Sequence, residues 1–180
     1  MKKASQLILS LICFVSPLGL AETVLGSTEI EPGIMLTFEA AARDKILPEG
    51  LFLAEEETDV HIEMLATWSD AGASGSQPGG HVAYLEVSAV IRNERTGQKF
   101  EFVLTPHLNL SDNLHYAQNI KLPGALNDSY TIDFKVGPPE TGRLGVHLDW
   151  VGTYGEELTP GVIISFSNLN LKEVAESRRR

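Results

Sequence analysis

The apolar and polar positions of this chain fall mostly into short alternations. Val60, Ile62, Met64 and Ala66 alternate with His61, Glu63, Leu65 and Thr67, so a period of two puts the first set on one strand face and the second on the other. Tyr84 to Arg92 repeats the pattern, with Leu85, Val87, Ala89 and Ile91 opposed to Glu86, Ser88 and Arg92. The turn Asn93 to Gly97 returns the chain as an antiparallel partner over Lys99 to Leu104. His115 to Leu122 predicts a strand ended by Pro123-Gly124, and Ser129 to Val136 sets Tyr130, Ile132, Phe134 and Val136 against Thr131, Asp133 and Lys135. Gly145 to Trp150 places Val146, Leu148 and Trp150 opposite His147 and Asp149, and Val162 to Ser167 predicts the last strand. Ile34 to Arg43 has a looser pattern that fits a strand or a helix. Lys45 to Leu53, with Pro48 and Gly50, reads as a loop, the Gly/Ser-rich Trp68 to Gly80 as a mobile loop, and the tail from Asn170 as frayed. Short strands separated by turns predict an all-β fold, an immunoglobulin-like antiparallel β-sandwich, as a single domain over residues 22–180.

The first 21 residues change the setting. Lys2 and Lys3 precede the apolar run Leu7 to Val15, Pro17 breaks it, and Gly19 and Ala21 are small, so residues 1–21 are expected to be a cleaved secretory signal. The run is too short to span a membrane, and no membrane insertion of the mature chain is expected. Cys13 is the only cysteine and lies in that run. The mature chain therefore has no thiolate nucleophile and no ligand for a blue-copper site, and an exported domain without disulfides suits a bacterial periplasm. A formal charge of -10 argues against nucleic acid as a partner and favours either cation attraction or plain solubility.

The candidate chemistry is histidine. Pro106 to Asn119, PHLNLSDNLHYAQN, sets His107 and His115 on either side of a polar turn, where two imidazoles can share a metal ion. His61 and Glu63 share a strand face, and His147 lies on another face that is otherwise polar. Unrelated surface histidines and a polar outer strand face would give the same pattern. There is no HExxH or CxxC motif, nor the His-x-His pair of a Cu/Zn superoxide dismutase. Glu55 to Glu57 reads as a second, weaker cation site or a solvated turn, His81 as structural or exposed, and Met64 as core.

Three stretches in order resemble the periplasmic iron-transport proteins, also known as pathogen-specific membrane antigens. Asp59-Val60-His61-Ile62-Glu63 is similar to the family's Asp-Ile-His-Leu-Glu. Ser111-Asp112 with His115-Tyr116 and Asn119 is similar to its Ser-Asp-Gly-Pro-His-Tyr-Gly-Asn-Asn, and Gly137-Pro138-Pro139 followed by Gly145-x-His147-x-Asp149 to its Asp-Pro-Pro and Gly-Arg-His-Thr-Asp. The resemblance spans about Gly33 to Trp150. It implies that His61, His115 and His147 are metal ligands, with Glu63 a carboxylate beside the site. The family's methionine ligand falls on Leu108 here, and a one-residue slip puts His107 in its place. It also implies copper or Fe2+ as the ion, a homodimer with sites close to the subunit interface, and an inner-membrane iron permease as partner. The function expected is non-enzymatic metal binding, with imidazole protonation loosening the site below about pH 6. The alternatives are an immunoglobulin-like interaction module without metal and a metalloenzyme, for which Glu63 is the one acid or base at hand.

Overall fold

The computed structural model describes residues 22–178, so the expected signal at 1–21 lies outside the described residues. Among the described residues there are eight antiparallel strands: β1 Glu22–Ile30, β2 Ile34–Ala41, β3 Val60–Trp68, β4 Glu86–Asn93, β5 Lys99–Leu108, β6 Leu114–Ile120, β7 Ser129–Gly137 and β8 Val162–Asn170. They run in the order β1-β2-β3-β6-β5-β4-β7-β8, folded over so that two layers face one another. The all-β sandwich expected from the alternations is therefore the fold. It is nearly closed into a barrel where β1 meets β8, the Phe166 ring lying where a side chain at Gly26 would stand.

The two layers are joined through β5. Its first part pairs with β4 up to Leu104, and its last part, Thr105 to Leu108, pairs with β6. Pro106 lies in the part that has crossed to β6; a residue without an N–H is tolerated at such an irregular position. Inward-facing residues make one core. Leu36 and Phe38 of β2 and Ile62 and Met64 of β3 meet Ile91 of β4 and Ile132 and Phe134 of β7, all fully buried. The Phe38 and Phe134 rings lie 4.5 Å apart. Met64 is thus core, as its strand face required.

Ile34–Ala41 is a strand, as its candidate reading had it, and β1, which the alternation missed, precedes it. Three expectations are corrected. Gly145 to Trp150 is not a strand: Leu148–Tyr154 forms helix α1, with His147 as its N-cap. The tail is not frayed, because helix α2, Lys172–Glu176, seats Leu171, Val174 and Ala175 in the core. The Trp68 to Gly80 loop is fastened by Trp68 N–H to Gly80 O and Ser74 N–H to the Tyr154 hydroxyl.

The turn between β4 and β5 is stapled to the loop before β7. Buried Asn93 accepts from the N–H groups of Arg95 and Thr96 and donates to Asp128, which also takes two bonds from the Arg95 guanidinium. Arg95 and Asn93 hold the Asp128 carboxyl well below the usual carboxylate range. A carboxyl depressed in the folded state gives stability that is full above its unfolded pKa of about 3.9 and is lost as the pH falls further. Thermal melts at pH 6 and pH 3 are expected to show a smaller acid-induced drop for Asp128→Asn than for the parent. Equal drops would mean that this staple carries none of the acid sensitivity.

Candidate metal centre

The hairpin of β5 and β6 places two of the histidines. His107 and His115 are direct cross-strand partners, so their side chains leave the sheet on the same side. The turn between them is built by its own polar groups. Asn109 Oδ1 accepts the Asp112 N–H at 2.6 Å, Asn109 Nδ2 donates to Asp112 Oδ2 at 2.7 Å, and Asn113 takes a positive φ of 61°, which Asn tolerates. On β3, His61 and Glu63 point outward to the same face, opposite Asn119 and Ala117 of β6. Residues 42–58 run back across this face. They turn an outer sheet surface into a cavity of about 300 Å3 lined by Asp44, Lys45, Leu47, Phe52 and the three histidines.

One ring nitrogen from each of His61, His107 and His115 lies within 4.8 Å of the others. His61 and His115 are 2% and 1% exposed, and His107 is half-buried. Hydrogen bonds assign the tautomers of His115 and His61. His115 Nδ1 stands 3.0 Å from the Asn113 carbonyl, which only accepts, so Nδ1 carries the proton and Nε2 the lone pair. His61 Nδ1 is 2.8 Å from Asn119 Oδ1, with the same consequence. His61 Nε2 then faces Glu63 Oε1 at 3.4 Å, with Glu63 fully buried. Two electron-rich atoms at that separation suit a cation between them. His107 Nε2 approaches Thr105 Oγ1 at 3.3 Å, and Phe52 meets the His107 ring edge-on at 4.9 Å. Burial, then the neighbouring His115, bring the His107 imidazole down to about 4, so this ring keeps a lone pair well below pH 6.

His147 does not join them within one chain. It is exposed and lines a separate cavity of about 310 Å3 with Trp68, Leu144, Val146, Trp150 and Leu158. Trp68 is seven residues along β3 from His61, about 23 Å at about 3.3 Å per residue. The physical reason is local: the chain enters α1 at Leu148, so no strand carries His147 toward the hairpin. His81 bridges Thr67 and stacks on Tyr116 at 5.5 Å, half-buried, which fits a structural residue. Glu55–Glu57 form a single 3-10 turn, and Glu56 and Glu57 are exposed. Among the described residues the acidic group that does gather is Glu22, Glu39 and Asp112. Burial, then Glu22 and Asp112, raise the Glu39 carboxyl. The alternations gave no sign of this group, because its members come from two strands and a turn.

Three imidazoles and a carboxylate are a donor set for a borderline metal ion, and the geometry fits one. The family model described as Fe2+ transport protein matches residues 19–170. UPF0423 proteins of Brucella abortus and Brucella suis are 26% identical over 133 residues, 71% of this chain and 70% of theirs. Among solved structures, FetP of uropathogenic Escherichia coli strain F11, as isolated, has a TM-score of 0.70 at 24% identity, over 83% of this chain and 96% of that one. A copper-bound variant of FetP gives 0.69 at 23% identity, over 81% and 95%. A copper-bound variant of Campylobacter jejuni P19 gives 0.70 at 21% identity, over 82% and 96%. At these identities the likeness is one of fold.

Proposed function

The chain belongs to the Fe2+ transport protein family, and from that premise we propose that it is a periplasmic metal-binding protein whose cargo is a copper ion or Fe2+. His61, His107 and His115 are the proposed donors, with Glu63 supplying negative charge. The observation that carries this reading is the convergence of three ring nitrogens within 4.8 Å, beside a buried carboxylate. The copper-bound FetP and P19 variants, alike in fold, support copper as one cargo. His107, in the place of a methionine, makes the donor set one of nitrogen and oxygen, which favours Cu2+ or Fe2+ over Cu+.

The remaining parts of the proposal concern transfer. The ion passes to an inner-membrane iron permease, and the protein is a carrier rather than an enzyme. The expected leader supports export, and among the described residues no helix is long and apolar enough to cross a membrane. Leu47 and Leu108 line the cavity and are each 71% exposed, a surface a docking partner would cover. His147 would enter this coordination only from a second copy, so a homodimer with its sites near the subunit boundary belongs to the same proposal.

Calorimetric titration of the metal-free chain with Cu2+, Zn2+ and Mn2+ tests the reading. One tightly bound Cu2+ or Zn2+ per chain is expected. Heats indistinguishable from dilution for all three would overturn it and leave an interaction module on the same fold.

A further inference from the structure

Asn119 lies on β6 opposite His61, and its side chain is 3% exposed. It does three things at once. Its Nδ2 donates to the Asp44 carbonyl at 2.8 Å and to the Leu53 carbonyl at 2.9 Å. Its Oδ1 accepts from His61 Nδ1 at 2.8 Å. The amide orientation is fixed by this set, because two carbonyls can be served only by the NH2 end, which leaves the oxygen for the imidazole. Asp44 and Leu53 belong to the two limbs of the strap formed by residues 42–58. The stretch between them carries Lys45, Leu47 and Phe52 over the histidine cavity, and Phe52 touches His107. The base of the strap is closed separately, by Arg43 Nη1 to Thr58 O and Thr58 Oγ1 to Ala54 O. One amide therefore ties the orientation of His61 to the seating of the strap.

We propose that Asn119 is the positioning residue of this centre, coupling the ion at His61 to the strap so that cation binding and closure of residues 44–53 stabilise one another. This rests on the metal-binding reading above. A ligating histidine whose second nitrogen is held by an outer partner binds more tightly, and loss of such a partner costs roughly 10- to 100-fold in affinity. Here that partner also holds the cover of the cavity. By linkage, whatever the ion contributes to strap closure the closed strap returns to ion affinity.

Two substitutions separate the functions of the amide. Asn119→Asp keeps an acceptor for His61 Nδ1 but replaces both donors with oxygen, which repels the Asp44 and Leu53 carbonyls. Asn119→Leu removes acceptor and donors together at similar size. The measurement is hydrogen exchange of the amides of residues 45–52 with and without Zn2+, a redox-inert probe, beside the Zn2+ affinity and a thermal melt of each protein. In the parent, Zn2+ is expected to slow exchange of the strap at least tenfold. In Asn119→Asp, Zn2+ still binds, more tightly than to Asn119→Leu, while its effect on strap exchange disappears. A merely structural asparagine would alter the exchange equally with and without metal. Zn2+ binding to the parent without strap protection, or protection that persists in Asn119→Asp, overturns the coupling alone. Failure of the parent to bind Zn2+ overturns the coupling and the metal-binding reading together.

Discussion

Replacing His61 with alanine is expected to lower Cu2+ affinity by more than about a hundredfold, the upper end of what loss of an outer partner costs, and by more than replacing His107. The ring is 2% exposed, and its Nδ1 is locked by Asn119, so its Nε2 is already aimed when the ion arrives. His107 is half-buried and is steadied by a 3.3 Å contact with Thr105 and by the Phe52 ring edge, so less orientation is fixed in advance. The deletion also acts on the metal-free fold. It leaves Glu63 fully buried, and a charge held out of water is costly in the metal-free fold. The double variant with Glu63→Gln should therefore melt higher, metal-free, than His61→Ala alone, while binding Cu2+ no better. Competition titration against a chelator of known affinity reads the first effect and thermal melts read the second. A His61→Ala affinity within threefold of the parent would remove His61 from the coordination, and the tautomer argument with it.

The parts of this centre that were legible in the sequence are those governed by local period. Alternation in β3 put His61 and Glu63 on one face and Met64 on the other, and the structure has them so. The two histidines around the polar turn are cross-strand partners, although β5 was expected to stop at Leu104. Pro106 disguised the continuation, because a residue without an N–H argues against a strand, and the fold places it after β5 has crossed from one layer to the other. Where two periods fit, the sequence misled. Val146, Leu148 and Trp150 alternate, but Trp150, Val151 and Tyr154 also recur at helical spacing, and so short a stretch does not separate the two. Packing of Trp150 against Trp68 and Tyr154 accompanies the helix. Leu171, Val174 and Ala175 at i, i+3 and i+4 were the missed sign of α2. β1 carries a bulge between Val24 and Gly26, which breaks its alternation. The strap and its attachment to Asn119 depend on contacts 66 and 75 residues apart along the chain, which no local pattern encodes.

Gly124→Ala is expected to be strongly damaging, although it lies away from the cavity. Gly124 has a φ of +148°, and a Cβ there would lie 2.0 Å from Asn93 Nδ2 and 3.1 Å from Asp128 Oδ2. Neither neighbour is the loose end of a flexible chain. Asn93 is fully buried and holds the β4–β5 turn through Arg95 and Thr96, while Asp128 is bound by Asn93, Arg95 and the Ala125 N–H. Relieving the overlap means pulling Nδ2 from Asp128 or moving the loop, which breaks the part-buried bond of a fully buried Asn93 at about 1–3 kcal/mol. Backbone strain at a positive φ adds about 1–3 kcal/mol. Together these predict a loss of about 2–6 kcal/mol, and at roughly 2–4 °C per kcal/mol for a chain of this size the melting temperature should fall by about 10 °C. Gly97→Ala is the control. Gly97 also has a positive φ, +73°, but nothing lies within 4 Å of its added Cβ, so it bears the strain alone. Equal melting temperatures for the two variants would show that the Asn93–Asp128 staple yields freely. A Gly124→Ala chain that melts well below Gly97→Ala yet binds Cu2+ like the parent would place the staple in the stability of the fold and outside the metal centre.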